Sequence, residues 1–220
     1  MPLFQVALDL WSGDEALGLV RRLLPYVDIV EVGTPLLLAC GLPFVGRLRE
    51  EIREKLLFVD AKIVDAGEEE AEVIFARGGD MVSVLGGASP VTLEGVRKAA
   101  ERYGKKWVVD TIDLIPTSQN LTLLEALRPD FLALHMPHDV VAQDHRIWEN
   151  VPFPFEFLRR MPLLVAGGLT VDALPLVLEV FHPRIVVIGS AITKDPFPEK
   201  VAENVRRVLD AFAGEDSYGS

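Results

Sequence analysis

The sequence is poor in cysteine, in basic charge and in long apolar runs, and each shortage excludes something. One cysteine, Cys40, among 220 residues rules out an intramolecular disulfide framework and any zinc site built from several cysteines. Its neighbours Leu37, Leu38 and Leu42 favour a buried apolar thiol over a nucleophile. No apolar stretch reaches the roughly 20 residues of a membrane span. Residues 1–10 lack a basic start and are interrupted by Asp9, so they do not read as a signal peptide. The cytoplasm is the expected location. Lys and Arg number 22 against 33 Asp and Glu, a net charge of −11. Such a chain repels nucleic acid and anionic lipid, so neither is an expected partner. A phosphorylated small molecule stays admissible if backbone N–H groups, a lysine or a metal binds it locally.

What the sequence does have is apolar content. Half of its residues are hydrophobic, enough to offset chain entropy and exclude disorder for the bulk of the chain. Eight short apolar runs recur: 4–8, 27–32, 56–59, 81–85, 107–109, 131–134, 163–166 and 185–188. They do not alternate with polar residues, which is the pattern of parallel strands covered on both faces. Amphipathic segments separate them, at 14–24, 67–77, 90–103, 118–127, 171–181 and 199–212, with a further helix between Leu42 and Lys55. Glu68, Glu69, Glu70 and Glu72 sit where a helix dipole favours acids, and Thr170 is a candidate N-cap. The stretch 144–160 is the least regular. Eight strands alternating with helices predict a single compact α/β domain, a (β/α)₈ TIM barrel over 1–213. A doubly wound open sheet is the alternative. Residues 214–220 read as a disordered tail.

Barrel chemistry sits at the C-terminal ends of the strands. The residues at those ends are Asp9, Glu31, Asp60 with Lys62, Gly86-Gly87, Asp110, His135, Gly167-Gly168 and Gly189-Ser190. Strand alternation would point Asp60 and Lys62 the same way, with Lys62 held charged by carboxylates. An ordinary loop ion pair is the alternative account of that pair. Glu31 and Asp60, on adjacent strands, could supply oxygen ligands to Mg²⁺. Glu31 could equally be a capped loop acid. The glycines after strands seven and eight let backbone N–H groups approach a phosphate, though each pair alone could be a turn. His135 is the candidate acid/base. His138 fits a solvated loop histidine as well as a catalytic one, and Asp139 and Asp110 are further candidates. His145 and His182 read as surface residues, and Trp11 and Trp148 as core or rim packing.

The pattern Asp60-x-Lys62-x-x-Asp65 resembles the signature of the orotidine 5′-monophosphate decarboxylase suprafamily. Ala7-Leu8-Asp9, Glu31-Val32-Gly33-Thr34-Pro35, Asp60 to Gly67 and Val82-Ser83-Val84-Leu85-Gly86 are similar to one branch. That branch holds the 3-hexulose-6-phosphate synthases and 3-keto-L-gulonate-6-phosphate decarboxylases. The likeness runs from Leu3 to about Phe212. It implies a (β/α)₈ homodimer with Mg²⁺ held by Glu31 and Asp60. It also implies a lyase reaction of a ketose phosphate through a 1,2-enediolate. Lys62 would neutralise the enediolate, His135 would move the proton, and Asp9 would contact Lys62 or the substrate hydroxyls. Asp65 would reach the neighbouring subunit's site and orient its Lys62. Gly167, Gly168, Gly189 and Ser190 would carry the phosphate.

The sequence also departs from both patterns. The decarboxylases carry arginines where this chain has His138 and Ser190. The synthases typically read His-Thr-Gly-x-Asp-x-Gln; here His135 and Asp139 match, while Met136, Pro137 and Val141 do not. Strand four favours the synthase. The expected reaction is the aldol joining of formaldehyde to D-ribulose 5-phosphate, with the keto-gulonate decarboxylase as alternative. A sugar-phosphate-binding protein without turnover is an alternative of another class, and a phosphoketose epimerase on the same fold is a further one.

Overall fold

A computed structural model describes residues 1–141, 148 and 151–216. Eight parallel strands pair in chain order, and the eighth closes on the first. The strands are β1 Leu3–Leu8, β2 Ile29–Val32, β3 Leu56–Ile63, β4 Met81–Leu85, β5 Lys106–Asp110, β6 Phe131–His135, β7 Leu163–Ala166 and β8 Ile185–Ile188. The predicted (β/α)₈ barrel is the observed fold, and the open sheet is excluded because β1 and β8 pair from Leu3 opposite Ile185 to Val6 opposite Ile188.

The helices are α1 Gly13–Leu23, α2 Thr34–Cys40, α3 Leu42–Ile52, α4 Gly67–Ala76, α5 Pro90–Tyr103, α6 Ser118–Leu127, α7 His138–Val141, α8 Phe155–Leu158, α9 Leu174–Phe181, α10 Ser190–Thr193 and α11 Pro198–Asp216. Side-chain caps start three of the longer ones: Ser12, Ser89 and Thr117 each accept an N–H from the first turn. Thr170 occupies an N-cap position as expected, but its side chain makes no capping bond and a 3₁₀ turn, Val171–Ala173, precedes α9. Helix α2 had no counterpart in the periodicity, since a seven-residue, nearly all-apolar segment shows no polar face. The helical chain also runs on through 214–216 as part of α11, where a tail was expected. The rest of the expected tail, 217–220, lies outside the described residues, as does His145.

The apolar residues divide into two layers. Outward-facing strand residues pack with the helices, for example Val30, Leu57, Val82 and Val109 against Val20, Leu48, Ile74 and Val96. The barrel interior holds Ala7, Ile29, Phe58, Met81, Val108, Ala133, Leu164, Ile185 and Val187. Side chains alternate along a strand, so the next inward position toward the C-terminal mouth lies two residues on. Ile29 is followed by Glu31, Phe58 by Asp60, Met81 by Ser83, Val108 by Asp110 and Ala133 by His135. An apolar floor therefore carries a polar layer directly above it.

The opposite end of the barrel is closed by ion pairs. Asp28 accepts from the Phe4 N–H and from Arg206, and Asp80 binds Arg49 and Lys105. A groove of about 520 Å³ at this end lies beside Glu94, Arg97, Lys105 and Arg128; Arg97 pairs there with Glu94 and Glu101, and Lys105 with Asp80. Cys40 is half-buried rather than fully buried, and among the described residues no helix is long and apolar enough to cross a membrane. Trp148 is buried against Phe181, and His182 is exposed.

Candidate active site

The mouth of the barrel opens into a cavity of about 500 Å³. Asp9, Glu31, Asp60, Lys62, Asp110 and His135 all line it, with Gly167, Gly168, Gly189 and Ser190. Ten of the predicted positions thus share one space. Trp11, 72% exposed, stands at its rim.

Lys62 is the centre of the arrangement. Its Nζ donates to both carboxylate oxygens of Asp60, at 2.9 and 2.7 Å, and to Asp110 Oδ2 at 2.9 Å. Simple strand alternation does not produce this geometry. Between Val59 and Ile63, β3 takes four steps while β4 takes two, from Val82 to Val84. Two extra residues bulge out, and Lys62 sits in the left-handed region with φ +48°. Strain of this kind costs roughly 1–3 kcal/mol. The Ser83 hydroxyl stabilises the bulge by accepting the Lys62 N–H at 2.9 Å while donating to Asp60 Oδ1 at 2.7 Å. Thr34, at the start of α2, donates its hydroxyl to Asp60 O and Oδ2.

Asp110 joins Lys62 to His135. Its Oδ2 lies 2.9 Å from His135 Nδ1, and its Oδ1 accepts the Ile112 N–H at 2.9 Å. Burial alone would raise the Asp110 pKa. The hydrogen bond and charge of His135, the charge of Lys62 and the Ile112 N–H outweigh it and lower the value to about 2. An ionised carboxylate only accepts, so the proton on that side belongs to Nδ1 and Nε2 is the nitrogen left for chemistry. Burial would lower Lys62, but Asp60 and Asp110 together raise it above its ordinary value. Lys62 is therefore a fixed cation, as expected.

Glu31 is the unbalanced member. Burial first, then the negative charges of Asp60 and Asp9, push its pKa well above the ordinary carboxylate value, against the opposing pull of Gln5 and Lys62. Its recorded donor is Gln5 Nε2 at 2.6 Å, and the other oxygen of that amide, Gln5 Oε1, is buried without a partner. Among the described residues no cluster of three or more His, Cys, Asp or Glu is arranged to hold a metal. Two carboxylates still suit a hard cation that keeps several of its waters. The oxygen-only donor set and the excess negative charge fit Mg²⁺, with Glu31 better prepared than Asp60. The Asp60 oxygens already take Lys62, Ser83 and Thr34.

Asp9 lies over Gly33. A Cβ at Gly33 would stand 2.1 Å from Asp9 Oδ1, and one at Gly189 would stand 3.3 Å from Oδ2. Asp9 thus bridges the ends of β1, β2 and β8 at the mouth, while the recorded bonds of Lys62 Nζ go to Asp60 and Asp110. Asp65 is exposed, does not line this chain's cavity, and accepts the Ala66 N–H. Asp139 is exposed in α7, and the side chain of His138 lies outside the described residues. Gln5, Thr34, Ser83 and Lys194 also line the cavity without having been singled out. The first three were findable as inward positions or near neighbours of strand ends.

The turn after β7 is fixed by backbone geometry. Gly167 and Gly168 have φ of +101° and +64°, and a Cβ on Gly167 would meet Met136 O at 2.1 Å. Gly167→Ala is expected to cost at least about 2 kcal/mol, lowering Tm by roughly 4–8 °C in a chain of this size. An unchanged melting temperature would contradict this account of the turn.

A closed β/α barrel whose mouth gathers carboxylates, a charged lysine and a histidine above an apolar floor defines a barrel enzyme. The chain belongs to the orotidine 5′-phosphate decarboxylase / HUMPS family, whose match covers residues 2–205, and it is a lyase. It is 35% identical to a 3-hexulose-6-phosphate synthase of Mycobacterium gastri over 205 residues, 93% of this chain and 98% of that one. The crystal structure of a 3-hexulose-6-phosphate synthase from Salmonella typhimurium is 32% identical, with TM-score 0.85 over 96% of this chain and 99% of the other. A 3-keto-L-gulonate-6-phosphate decarboxylase from Vibrio cholerae is 22% identical, with TM-score 0.80 over 96% and 98% of the two chains. That likeness speaks to the fold alone. Family membership sets aside the reading without turnover.

Proposed function

We propose that this lyase is a Mg²⁺-dependent 3-hexulose-6-phosphate synthase, which joins formaldehyde to D-ribulose 5-phosphate. The observation that carries the proposal is the unbroken chain Asp60–Lys62–Asp110–His135 in one cavity. It couples a fixed cation to a group that can take up a proton. His135 Nε2 removes a proton from the hydroxymethyl carbon beside the ketone. The electron pair is delocalised as a 1,2-enediolate, whose charge is met by Lys62, already in place. That carbon then bonds to formaldehyde, and the proton goes to the new hydroxyl oxygen. Asp110 keeps the imidazole oriented throughout.

Glu31 and Asp60 would hold the Mg²⁺, which when bound polarises oxygens of the ketose. Ligation by Asp60 would compete with one of its contacts to Lys62, while Asp110 retains the lysine. Asp9 would orient the substrate hydroxyls. Gly167, Gly168, Gly189 and Ser190 would receive the phosphate on backbone N–H groups. The exposed Asp65 carboxylate is suited to the neighbouring site of a homodimer.

The test is an assay with Mg²⁺ and each substrate in turn. Formaldehyde loss that requires ribulose 5-phosphate, stops with a chelator and returns with Mg²⁺ is the expected result. Release of CO₂ from 3-keto-L-gulonate 6-phosphate, with no formaldehyde loss, would replace the proposal by the decarboxylase.

A further inference from the structure

We infer that Lys194 supplies the positive charge for the substrate phosphate and is a binding and specificity residue of this chain. The inference deepens the reading of the cavity as a sugar-phosphate site and rests on it.

Four carboxylates line the cavity, Asp9, Glu31, Asp60 and Asp110, so an incoming dianion meets strong repulsion. Two lysines are the permanent cations among the described lining residues. Lys62 is committed to Asp60 and Asp110. Lys194 is exposed, and no ion pair is recorded for it. It closes α10, its N–H donating to Ser190 O at 3.1 Å. Ser190 and Lys194 are four residues apart and share one helical face. A helical side chain leans back toward the N-terminus of its helix. The Lys194 stem is therefore directed back over Ser190, toward the turn that Gly189 and Ser190 form beside Gly167 and Gly168. The adjacent Asp195 is occupied by the Phe197 N–H. Ser190 offers a hydroxyl and an N–H but no charge, so the cation comes from one helical turn further along.

Charge-assisted bonds contribute about 1.5–3 kcal/mol, and exposure places Lys194 at the low end. Lys194→Ala should raise KM for ribulose 5-phosphate about tenfold with kcat changed less than twofold. The inhibition constant of inorganic phosphate should rise in parallel. Lys194→Arg should restore both. Because the residue is exposed, the melting temperature should not move. Unchanged KM and unchanged phosphate inhibition in Lys194→Ala would overturn the inference while leaving the synthase reading intact. A fall in kcat at constant KM would also overturn it. Phosphate binding can be read by calorimetry even if ribulose 5-phosphate is not turned over. Weaker binding to Lys194→Ala would then support the anchor while the synthase reading failed, and equal binding would sink the anchor.

Discussion

Lys62→Ala is expected to lower kcat at least about 10³-fold, because the change removes a charge-bearing donor from the position where enediolate charge develops. One preorganised neutral donor accounts for about 10²–10³ in such sites. Lys62 is a full cation held by Asp60 and Asp110 at 2.7–2.9 Å, and a 10³-fold loss corresponds to about 4 kcal/mol. Stability should fall as well. Asp110, with a side chain only 3% exposed, would keep its charge beside Asp60 without the lysine between them. Removing one member of a buried pair costs about 3–5 kcal/mol. Loss of the strained bulge residue offsets little, since alanine at φ +48° is strained too. The comparison variant is Lys62→Arg, which keeps the charge and should keep most of the stability while losing most of the turnover. Retention of more than a tenth of the wild-type rate in Lys62→Ala would refute the assignment.

The same network fixes a pH dependence. The Asp110 pKa is lowered to about 2, against about 3.9 for an unfolded aspartate. Its contribution to stability is therefore complete above about pH 4. It is lost as pH falls through the window down to about 2. Lys62 is shifted upward, so its contribution is complete below its unfolded value and is lost only in strong alkali. Asp110 thus supplies one part of the acid limb, beside other lowered carboxylates such as Asp80, and Asp110→Asn should make acid unfolding shallower between about pH 4 and 2.

Much of this was legible in the residues, and the misses have physical causes. The buried strands announce themselves as unbroken apolar runs because both of their faces are covered. Asp9, Glu31, Asp60, Lys62, Asp110 and His135 were visible as the polar groups at strand ends. Gln5 was missed, and Ser83 was quoted only inside a resemblance and given no role, because both lie within strands. Each becomes visible only when inward and outward positions are separated, and that needs the register. The Asp60–Lys62 contact was anticipated for an incorrect reason. It depends on two extra residues in β3 relative to β4, which no single-strand periodicity reveals. Helix α2 carries Thr34 to Asp60, yet its sequence is almost uniformly apolar and gives no helical signature.

Glu31→Gln should separate stability from function in opposite directions. Without metal, Glu31 is a buried acid whose pKa is raised by burial and by Asp60 and Asp9. A raised carboxylate pKa means the unfolded chain releases its proton first as pH increases. Folding then becomes progressively less favourable from about pH 4.3 upward, until the folded-state value is passed. The neutral amide removes that penalty, can still accept from Gln5 Nε2, and can donate to the unpartnered Gln5 Oε1. In a chelator at pH 8 the variant should melt higher than wild type by several degrees. At pH 4 the two should melt together. Added Mg²⁺ should reverse the order, because binding stabilises only the protein that can bind, by RT ln(1 + [L]/Kd). Turnover of the variant should fall at least about 10³-fold, since both the metal and the charge that positions it are lost. Equal stabilisation of both proteins by Mg²⁺ would remove Glu31 from the cation site. A variant that melts lower than wild type without metal would show instead that the Glu31 carboxylate stabilises the fold, and the site would then have no electrostatic deficit for a cation to correct.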